Sequence, residues 1–235
     1  PQGPRRMSLK GLFNARWPGV ALFDLDGTLV DSAPDLAEAV DLTLRELGRA
    51  PAGLEKVRPW VGNGAKVLIR RALADKRDWQ PPRPEDDALI DSALEIFFKH
   101  YRHTNGKHAH VYPGVKECLD HLSSCGCRMG VVTNKPQQFV APLLEQTGLA
   151  DYFELTLGGD ALPEKKPEPA PVLHAMKELH GTVGTTVMIG DSDNDVNAAL
   201  AAGIPCVAVR YGYNSGAAID SLGADAVVDS LAELL

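Results

Sequence analysis

Two aspartates, Asp24 and Asp26, stand at the end of an apolar run and just before a glycine turn. Because side chains alternate between the two faces of a strand, carboxylates two positions apart point the same way and repel each other. A divalent cation relieves that repulsion, and carboxylate oxygens are ligands that suit Mg²⁺. Asp and Gly also occur in ordinary acidic turns. The apolar run, the second aspartate and Thr28 together favour a reaction centre instead.

A hydroxyl and a lysine farther along the chain could bind a phosphate group. Thr133 and Asn134 follow an apolar pair, and a hydroxyl near the N–H groups of a helix start suits a phosphate oxygen. Lys166 precedes Pro167 in a loop that holds three prolines, and prolines stiffen the backbone. We therefore expect Lys166 to neutralise a phosphoryl group and the neighbouring Lys165 to be solvated.

A second acidic turn, from Asp191 to Asp195, follows an apolar run and a glycine. Asp191 comes first after the predicted strand and is the expected metal ligand. Asp195 could hold a metal-bound water or the lysine, and Asp193 supplies negative charge to a helix N-terminus. The residues expected to support the site are Thr28, Ser192 and Asp195.

Apolar runs and helical patterns alternate over the second half of the chain, with strands predicted at residues 128–134, 153–157, 186–189 and 206–209. The first predicted strand, at residues 20–23, belongs to the same sheet. Helices are predicted at residues 137–147, after Pro171 and at residues 194–202. Continuous apolar strands alternating with helices indicate an α/β fold with a parallel sheet covered on both faces. The carboxyl ends of its strands form the crevice where ligands bind, and all the polar clusters lie there.

Residues 31–109 show only helices and loops. A predicted helix begins near Asp31 and ends at Gly48, and another lies between Pro84 and Asn105. Because this block interrupts the alternation just after the first strand, we interpret it as a cap that acts as a lid over the active edge of the sheet. The predicted division is an N-terminal extension at residues 1–17, a core at residues 18–30 and 110–235, and a helical cap at residues 31–109.

The four clusters, in this order, resemble those of the haloacid dehalogenase superfamily of phosphohydrolases, and the match spans about residues 18–210. Within this superfamily the chain most resembles the bacterial phosphoglycolate phosphatases. Three less specific motifs carry this resemblance: Trp60-Val61-Gly62-Asn63-Gly64, Asn134-Lys135-Pro136 and Tyr211-Gly212-Tyr213-Asn214. The resemblance implies a Rossmann-like, doubly wound core with an inserted all-helical cap. It also implies a Mg²⁺-dependent phosphatase of a small phosphorylated metabolite, with 2-phosphoglycolate as the expected substrate.

The resemblance also implies a role for each cluster. Asp24 attacks phosphorus and forms an aspartyl-phosphate, while Asp26 protonates the leaving oxygen and later deprotonates the attacking water. Mg²⁺ is bound by Asp24, by Asp191 and by the backbone carbonyl of Asp26. The groups that hold the phosphate oxygens are Thr133, Asn134 and Lys166. The cap selects the substrate, and its candidates for binding a substrate carboxylate are Arg58, Lys66 and Arg70.

Composition argues against several classes of protein. The chain has 235 residues, a net charge of −7 and 44% apolar residues, which is ordinary for a globular protein and argues against a nucleic-acid partner. No stretch approaches the ~20 apolar residues of a membrane helix, and the residues before Met7 lack the apolar region of a signal peptide. The four cysteines complete no zinc site and are expected to be free thiols. We expect a cytoplasmic enzyme without nucleic-acid or membrane partners, and its oligomeric state stays open.

Other functions remain open at this point. A phosphatase of a sugar phosphate, such as N-acetylmuramic acid 6-phosphate, shares most of these motifs, and so does a phosphosugar mutase. A phospho-accepting receiver module of signalling proteins also places Asp, Thr and Lys around a parallel sheet, but it is much shorter and lacks the helical insertion. A haloacid dehalogenase is disfavoured because Asp26 supplies the acid that a phosphate leaving group needs. A silent binding protein is disfavoured because clustered acids without a metal repel one another.

Overall fold

Six parallel strands form the central sheet of the computed structural model, which describes residues 8–77, 86–213 and 219–235. In chain order the strands are β1 (Val20–Phe23), β2 (Val30–Asp31), β3 (His110–Val111), β4 (Arg128–Val132), β5 (Leu155–Leu157), β6 (Thr186–Gly190), β7 (Cys206–Val209) and β8 (Ala226–Val228). The central sheet has the order β5-β4-β1-β6-β7-β8. The short strands β2 and β3 pair antiparallel outside it.

The register of the sheet aligns the carboxyl ends of its central strands. Phe23, the last residue of β1, pairs with Val131 on β4 and with Ile189 on β6. Residues that follow these three strands therefore meet at one edge, which in parallel sheets is the edge that binds ligands. That edge is where the sequence places its acidic and hydroxyl side chains.

Helices cover both faces of the sheet. They are α1 (Leu9–Leu12), α2 (Ala33–Glu46), α3 (Leu54–Val57), α4 (Ala65–Ala74), α5 (Asp86–Thr104), α6 (Val115–Ser124), α7 (Val140–Thr147), α8 (Ala170–Glu178) and α9 (Asp193–Ala202). Ala21 and Phe23 of β1 pack in one apolar cluster with α1, α6 and α7, whereas Val20 and Leu22 pack in another with α8 and α9. Both faces of this parallel strand are therefore buried. The predicted α/β fold is confirmed.

A block of helices, α2 to α5, lies between β2 and β3. The pairing of β2 with β3 brings together the points where the chain leaves the central sheet and returns to it. Within the block, α2 and α5 share an apolar cluster that contains Leu36, Val40, Phe97 and Tyr101. The predicted all-helical insertion is therefore present. The predicted helix start near Pro84 lies outside the described residues.

Some elements differ from the sequence-based expectations. The strands β2, β3 and β8 were not predicted, and β2 and β3, with two residues each, are too short to show a period. The predicted helix at 137–147 opens with a 3₁₀ turn, Gln137–Phe139, before α7 begins. Of the predicted N-terminal extension, residues 1–7 lie outside the described part, whereas Leu9 and Phe13 are buried in the core. In the described residues, no helix combines the length and the apolar character needed to cross a membrane.

Candidate active site

A buried ion network lies at the carboxyl end of β1. Lys166 is 2% exposed, and its Nζ lies 3.0 Å from Asp24 Oδ1 and 2.6 Å from Asp195 Oδ1. Both carboxylates raise the pKa of the lysine, and they do so against the effect of burial, which lowers it. Lys166 therefore carries a positive charge beside Asp24, as a group that neutralises a phosphoryl oxygen must.

Asp195 holds this lysine in place. Its second oxygen, Oδ2, accepts hydrogen bonds of 3.0 Å from the backbone N–H groups of Asp191 and Ser192 and from the Ser192 hydroxyl. The bond from the backbone N–H of Ser192 is part of a capping box at the start of α9. Gly190 permits the arrangement, because a Cβ at that position would overlap the Asp195 carboxyl group. Both oxygens of Asp195 are thus engaged, and it acts on the site through Lys166.

Asp191 is fixed from two sides. Its Oδ1 accepts a 3.0 Å hydrogen bond from the Thr28 hydroxyl, and its Oδ2 accepts one of 2.6 Å from the backbone N–H of Tyr213. Gly27 lies against it with φ +87°, and a Cβ there would come within 2.5 Å of Asp191 Oδ2. A residue with a side chain would meet both backbone strain and this contact. Because Gly27 in the first acidic turn has no side chain, Asp191 in the second acidic turn can lie against it.

The three buried aspartates form a site that suits a divalent cation. One oxygen each of Asp24, Asp191 and Asp195 lies within 4.8 Å of the others. Burial raises the pKa of Asp24 to about 6, and the charges of Asp195 and Asp26 add to this effect, while Lys166 opposes it. Burial and the same neighbouring carboxylates also raise the pKa of Asp191. These three carboxylates carry more negative charge than Lys166 alone can balance. A cation that prefers oxygen ligands therefore fits between Asp24 and Asp191.

Thr133 and Asn134 follow β4 at the same edge. The Thr133 hydroxyl oxygen accepts a hydrogen bond of 3.1 Å from the backbone N–H of Lys135, so its proton can be donated to a phosphate oxygen. The Asn134 amide nitrogen instead donates to the carbonyls of Lys166, at 2.9 Å, and Gly62, at 3.1 Å. Its Oδ1 is buried without a protein partner. The side chain of Asn134 therefore links two loops, and its Oδ1 remains as a hydrogen-bond acceptor. The expected contact of Asn134 with the phosphate stays a prediction.

Asp26 has partners that the sequence patterns did not indicate. Its Oδ1 accepts hydrogen bonds from the Ser32 hydroxyl and from Lys135 Nζ, the latter at 3.1 Å. The Lys135 side chain is 1% exposed, and its Nζ also contacts the hydroxyl of Tyr101 on α5. Sequence reasoning assigned no role to Lys135. The available signal was its place two residues after Thr133, in the Asn134-Lys135-Pro136 motif.

Tyr213 makes further contacts at the site, although the sequence patterns assigned it no role. Its hydroxyl accepts hydrogen bonds of 2.8 Å from the backbone N–H groups of Ser32 and Ala33 and donates one of 2.6 Å to Asp31. Because its own backbone N–H binds Asp191, Tyr213 connects the metal-side aspartate to the start of α2. Asn214, named with it in the sequence motif, lies outside the described residues.

The cap loop at residues 60–64 reaches the core. The carbonyl of Gly62 accepts hydrogen bonds from Asn134 and from Asn194, and the carbonyl of Asn63 accepts one of 2.7 Å from Lys165 Nζ. Lys165 was expected to be solvated, but it is half-buried and donates its hydrogen bond to the cap loop. A small pocket lies between the cap and the edge of the sheet, with residues of both on its walls.

The structure does not bring the three predicted cap cations into this pocket. Arg58 pairs with Asp31 at 3.1 Å and lies over the ring of Tyr213. Lys66 pairs with Asp91 at 2.7 Å, Arg70 pairs with Asp87 at 3.5 Å, and neither cation lines the pocket. By contrast, Asp24, Asp26, Thr133, Asn134 and Lys135 all line the pocket.

Comparison with known proteins agrees with this geometry. The family model of haloacid dehalogenase-like hydrolases matches residues 21–209. A phosphoglycolate phosphatase from Pseudomonas syringae pv. syringae is 49% identical over 224 residues, which are 95% of this chain and 81% of that protein. A phosphoglycolate phosphatase from Nitrosococcus oceani is 48% identical over 217 residues, or 92% of this chain and 95% of that protein. A crystal structure described as a predicted phosphoglycolate phosphatase from Haemophilus somnus 129PT shares 34% identity with a TM-score of 0.79, covering 92% of this chain and 96% of that chain.

The extent of these matches identifies the protein at the level of its family. The family model covers the strands of the central sheet from β1 to β7 together with the inserted helices. The matched region also contains the acidic clusters around Asp24 and Asp191 and the lysine between them. The chain therefore belongs to the haloacid dehalogenase-like hydrolase family, and within it the chain is a phosphoric monoester hydrolase.

Proposed function

We propose that this enzyme is a Mg²⁺-dependent phosphatase that hydrolyses 2-phosphoglycolate to glycolate and phosphate through an aspartyl-phosphate at Asp24. One observation carries the proposal: the buried Asp24 carboxylate lines the pocket, 3.0 Å from Lys166 Nζ and in one cluster with Asp191. Asp26 lines the same pocket two residues later. The names of the relatives that are about 49% identical support the choice of substrate.

In the first step, an oxygen of Asp24 attacks phosphorus as the bond from phosphorus to the ester oxygen breaks. Asp26 donates a proton to that ester oxygen, which leaves as an alcohol. Lys166 and the hydroxyl of Thr133 bind the phosphoryl oxygens and stabilise the charge that develops on them. A covalent intermediate divides one difficult displacement into two easier ones.

In the second step, Asp26 accepts a proton from a water molecule that attacks the phosphorus of the aspartyl-phosphate. The bond between phosphorus and Asp24 breaks, inorganic phosphate leaves, and the carboxylate is restored. General acid and base catalysis of this kind contributes a factor of ~10² to 10⁴ in rate. Asp24 and Asp191 would hold Mg²⁺, which supplies positive charge against the repulsion between the carboxylate nucleophile and the phosphate.

The test is release of phosphate from a panel of esters: 2-phosphoglycolate, N-acetylmuramic acid 6-phosphate, other sugar phosphates and pyrophosphate. We expect a preference for 2-phosphoglycolate of at least ~10-fold in kcat/KM, equivalent to ~1.4 kcal/mol. EDTA should abolish activity and Mg²⁺ should restore it. Full activity in the chelator would exclude the role of the metal, and bisphosphate-dependent isomerisation of a phosphosugar would identify a mutase instead.

A pair of aspartate variants tests the covalent step. Asp24→Asn should lose activity by several orders of magnitude and fail to form the phosphoenzyme that mass spectrometry detects in acid-quenched wild-type enzyme. Asp75→Asn is the matched control, since Asp75 is an exposed partner of Lys56 at the surface of the cap and should leave activity unchanged. Near-normal turnover by purified, folded Asp24→Asn would rule out the proposed nucleophile.

A further inference from the structure

Lys135 stands out among the described residues that line the pocket, because it is the one that carries a positive charge. It enters from the core, immediately after the phosphate-side residues Thr133 and Asn134. Its side chain is 1% exposed, and its Nζ lies 3.1 Å from Asp26 Oδ1. A desolvated ammonium group is a strong ligand for a second anion, since water competes little for it.

The cap side of the pocket is almost entirely apolar. The cap residues that supply this surface include Leu36, Val61, Ala65, Leu68 and Phe97. The only cap hydroxyl on this wall, within the described residues, belongs to Tyr101. A wall of this kind would leave the hydroxyl groups of a sugar without partners, which costs binding energy. It therefore favours a small leaving group with one charged end.

The donors of Lys135 and Tyr101 point to the charge of that end. An ammonium group has three N–H donors, and Lys135 Nζ lies 3.1 Å from Asp26 Oδ1, 3.4 Å from Asp26 Oδ2 and against the Tyr101 oxygen. With one N–H shared between the two carboxylate oxygens, one donor remains for a ligand. Burial and the charges of Asp26 and Asp35 raise the pKa of Tyr101, so its hydroxyl keeps its proton and can also donate. Two donors therefore converge beside Asp26, the group assigned to protonate the leaving oxygen.

We propose that Lys135 and Tyr101 bind a carboxylate of the leaving group, so that the enzyme selects the phosphate esters of small hydroxy acids. In 2-phosphoglycolate a single CH₂ separates the ester oxygen from the carboxylate carbon. Lys135 is hydrogen-bonded to the carboxylate of Asp26, so one ammonium group can contact both the proton donor and the substrate carboxylate. The inference rests on the proposed phosphatase function and names the residues that select its substrate. The cap cations Arg58, Lys66 and Arg70 pair outside the pocket and do not compete for this role.

The experiment compares 2-phosphoglycolate with its neutral amide, 2-phosphoglycolamide, by measuring kcat/KM for each ester in the presence of Mg²⁺. The wild-type enzyme should prefer the carboxylate by ~10- to 100-fold, the range expected for hydrogen bonds to a charged group. In Lys135→Met that preference should fall towards unity, because the amide never depended on the ammonium charge. Tyr101→Phe should reduce the preference by ~2- to 10-fold, as expected for one hydrogen bond.

Lys107→Met is the matched control, since Lys107 is exposed and pairs with Glu38 at the surface. It should keep the wild-type preference. Equal losses on both esters in Lys135→Met would show that the lysine acts only on Asp26 and would overturn the inference, as would equal turnover of both esters by the wild-type enzyme. In either case the phosphatase function would stand. Absence of turnover with every ester of the panel would instead refute the proposed function and the inference with it. If Lys135→Met does not fold, an unchanged preference in Tyr101→Phe overturns the inference.

Discussion

Removal of the positive charge of Lys166 should destabilise the protein far more than removal of a surface lysine. Lys166→Met keeps the length and volume of the side chain but leaves Asp24, Asp191 and Asp195 without the cation that now contacts two of them. The lysine is 2% exposed, so water does not replace its contacts. Breaking a buried pair by deleting one partner costs ~3–5 kcal/mol. We expect a loss of this size in the free energy of unfolding when no metal is bound.

The assay is urea denaturation in EDTA at about pH 7, followed by circular dichroism, with the free energy extrapolated to zero denaturant. The matched control is Lys56→Met, because Lys56 also pairs with an aspartate, Asp75, at 2.9 Å, but both side chains are more than half exposed. Exposed pairs contribute at most ~1 kcal/mol. Addition of Mg²⁺ should recover part of the loss in Lys166→Met and none in the control.

A second variant separates the charge effect from the loss of packing. Asp195→Asn keeps an oxygen that can accept from the backbone N–H groups at the start of α9 but removes one negative charge. The double variant Lys166→Met with Asp195→Asn should therefore lose less stability than the sum of the single changes, by ~0.5–3 kcal/mol. A loss below ~1 kcal/mol in Lys166→Met, equal to that of the surface control, would refute the electrostatic account of this site.

Three further changes follow from the same site. The pKa of Asp24 rises from 3.8 in the unfolded chain to about 6 on folding, so its protonation stabilises the fold below about pH 4. In EDTA this contribution, on the order of 3 kcal/mol, should be lost as the pH rises to about 6. Because Mg²⁺ binds the ionised carboxylate, it should raise the Tm more at about pH 7 than at about pH 5. An equal rise in Tm at both pH values would contradict this. Gly190→Ala forces a Cβ onto the Asp195 carboxyl group, so it should cost ~1–3 kcal/mol of stability and also reduce activity. Gly184→Ala is the control, because the nearest atom to its added Cβ is the Thr182 hydroxyl oxygen at 4.0 Å, and it should be neutral in both denaturation and phosphate release. Tyr213→Phe leaves two backbone N–H groups at the start of α2 without their phenolic acceptor and should cost ~1–3 kcal/mol in urea denaturation; an unchanged midpoint would show that other groups accept these bonds.

The sequence by itself determined the class of fold and the edge at which chemistry occurs. Strand alternation places Asp24 and Asp26 on one face, and continuous apolar runs predict parallel strands whose carboxyl ends meet. These are local rules, and they depend on spacing within one segment. They are enough to place Thr133, Lys166 and Asp191 at the same edge as Asp24, which is where the structure has them.

Only the tertiary structure decided which partner each polar side chain takes. Lys135 turns to Asp26 and Tyr101 because the cap folds back over the edge of the sheet, and no local pattern reports a contact between residues so far apart in the chain. For the same reason Asn134 binds backbone carbonyls of two other loops. The cap cations, such as Lys66, pair with acids on the outside of the cap, because an unpaired charge gains more from an exposed partner than from an apolar wall. The packing of the cap on the sheet thus decides which lysine faces the leaving group. The spacing of residues along the chain does not contain this information.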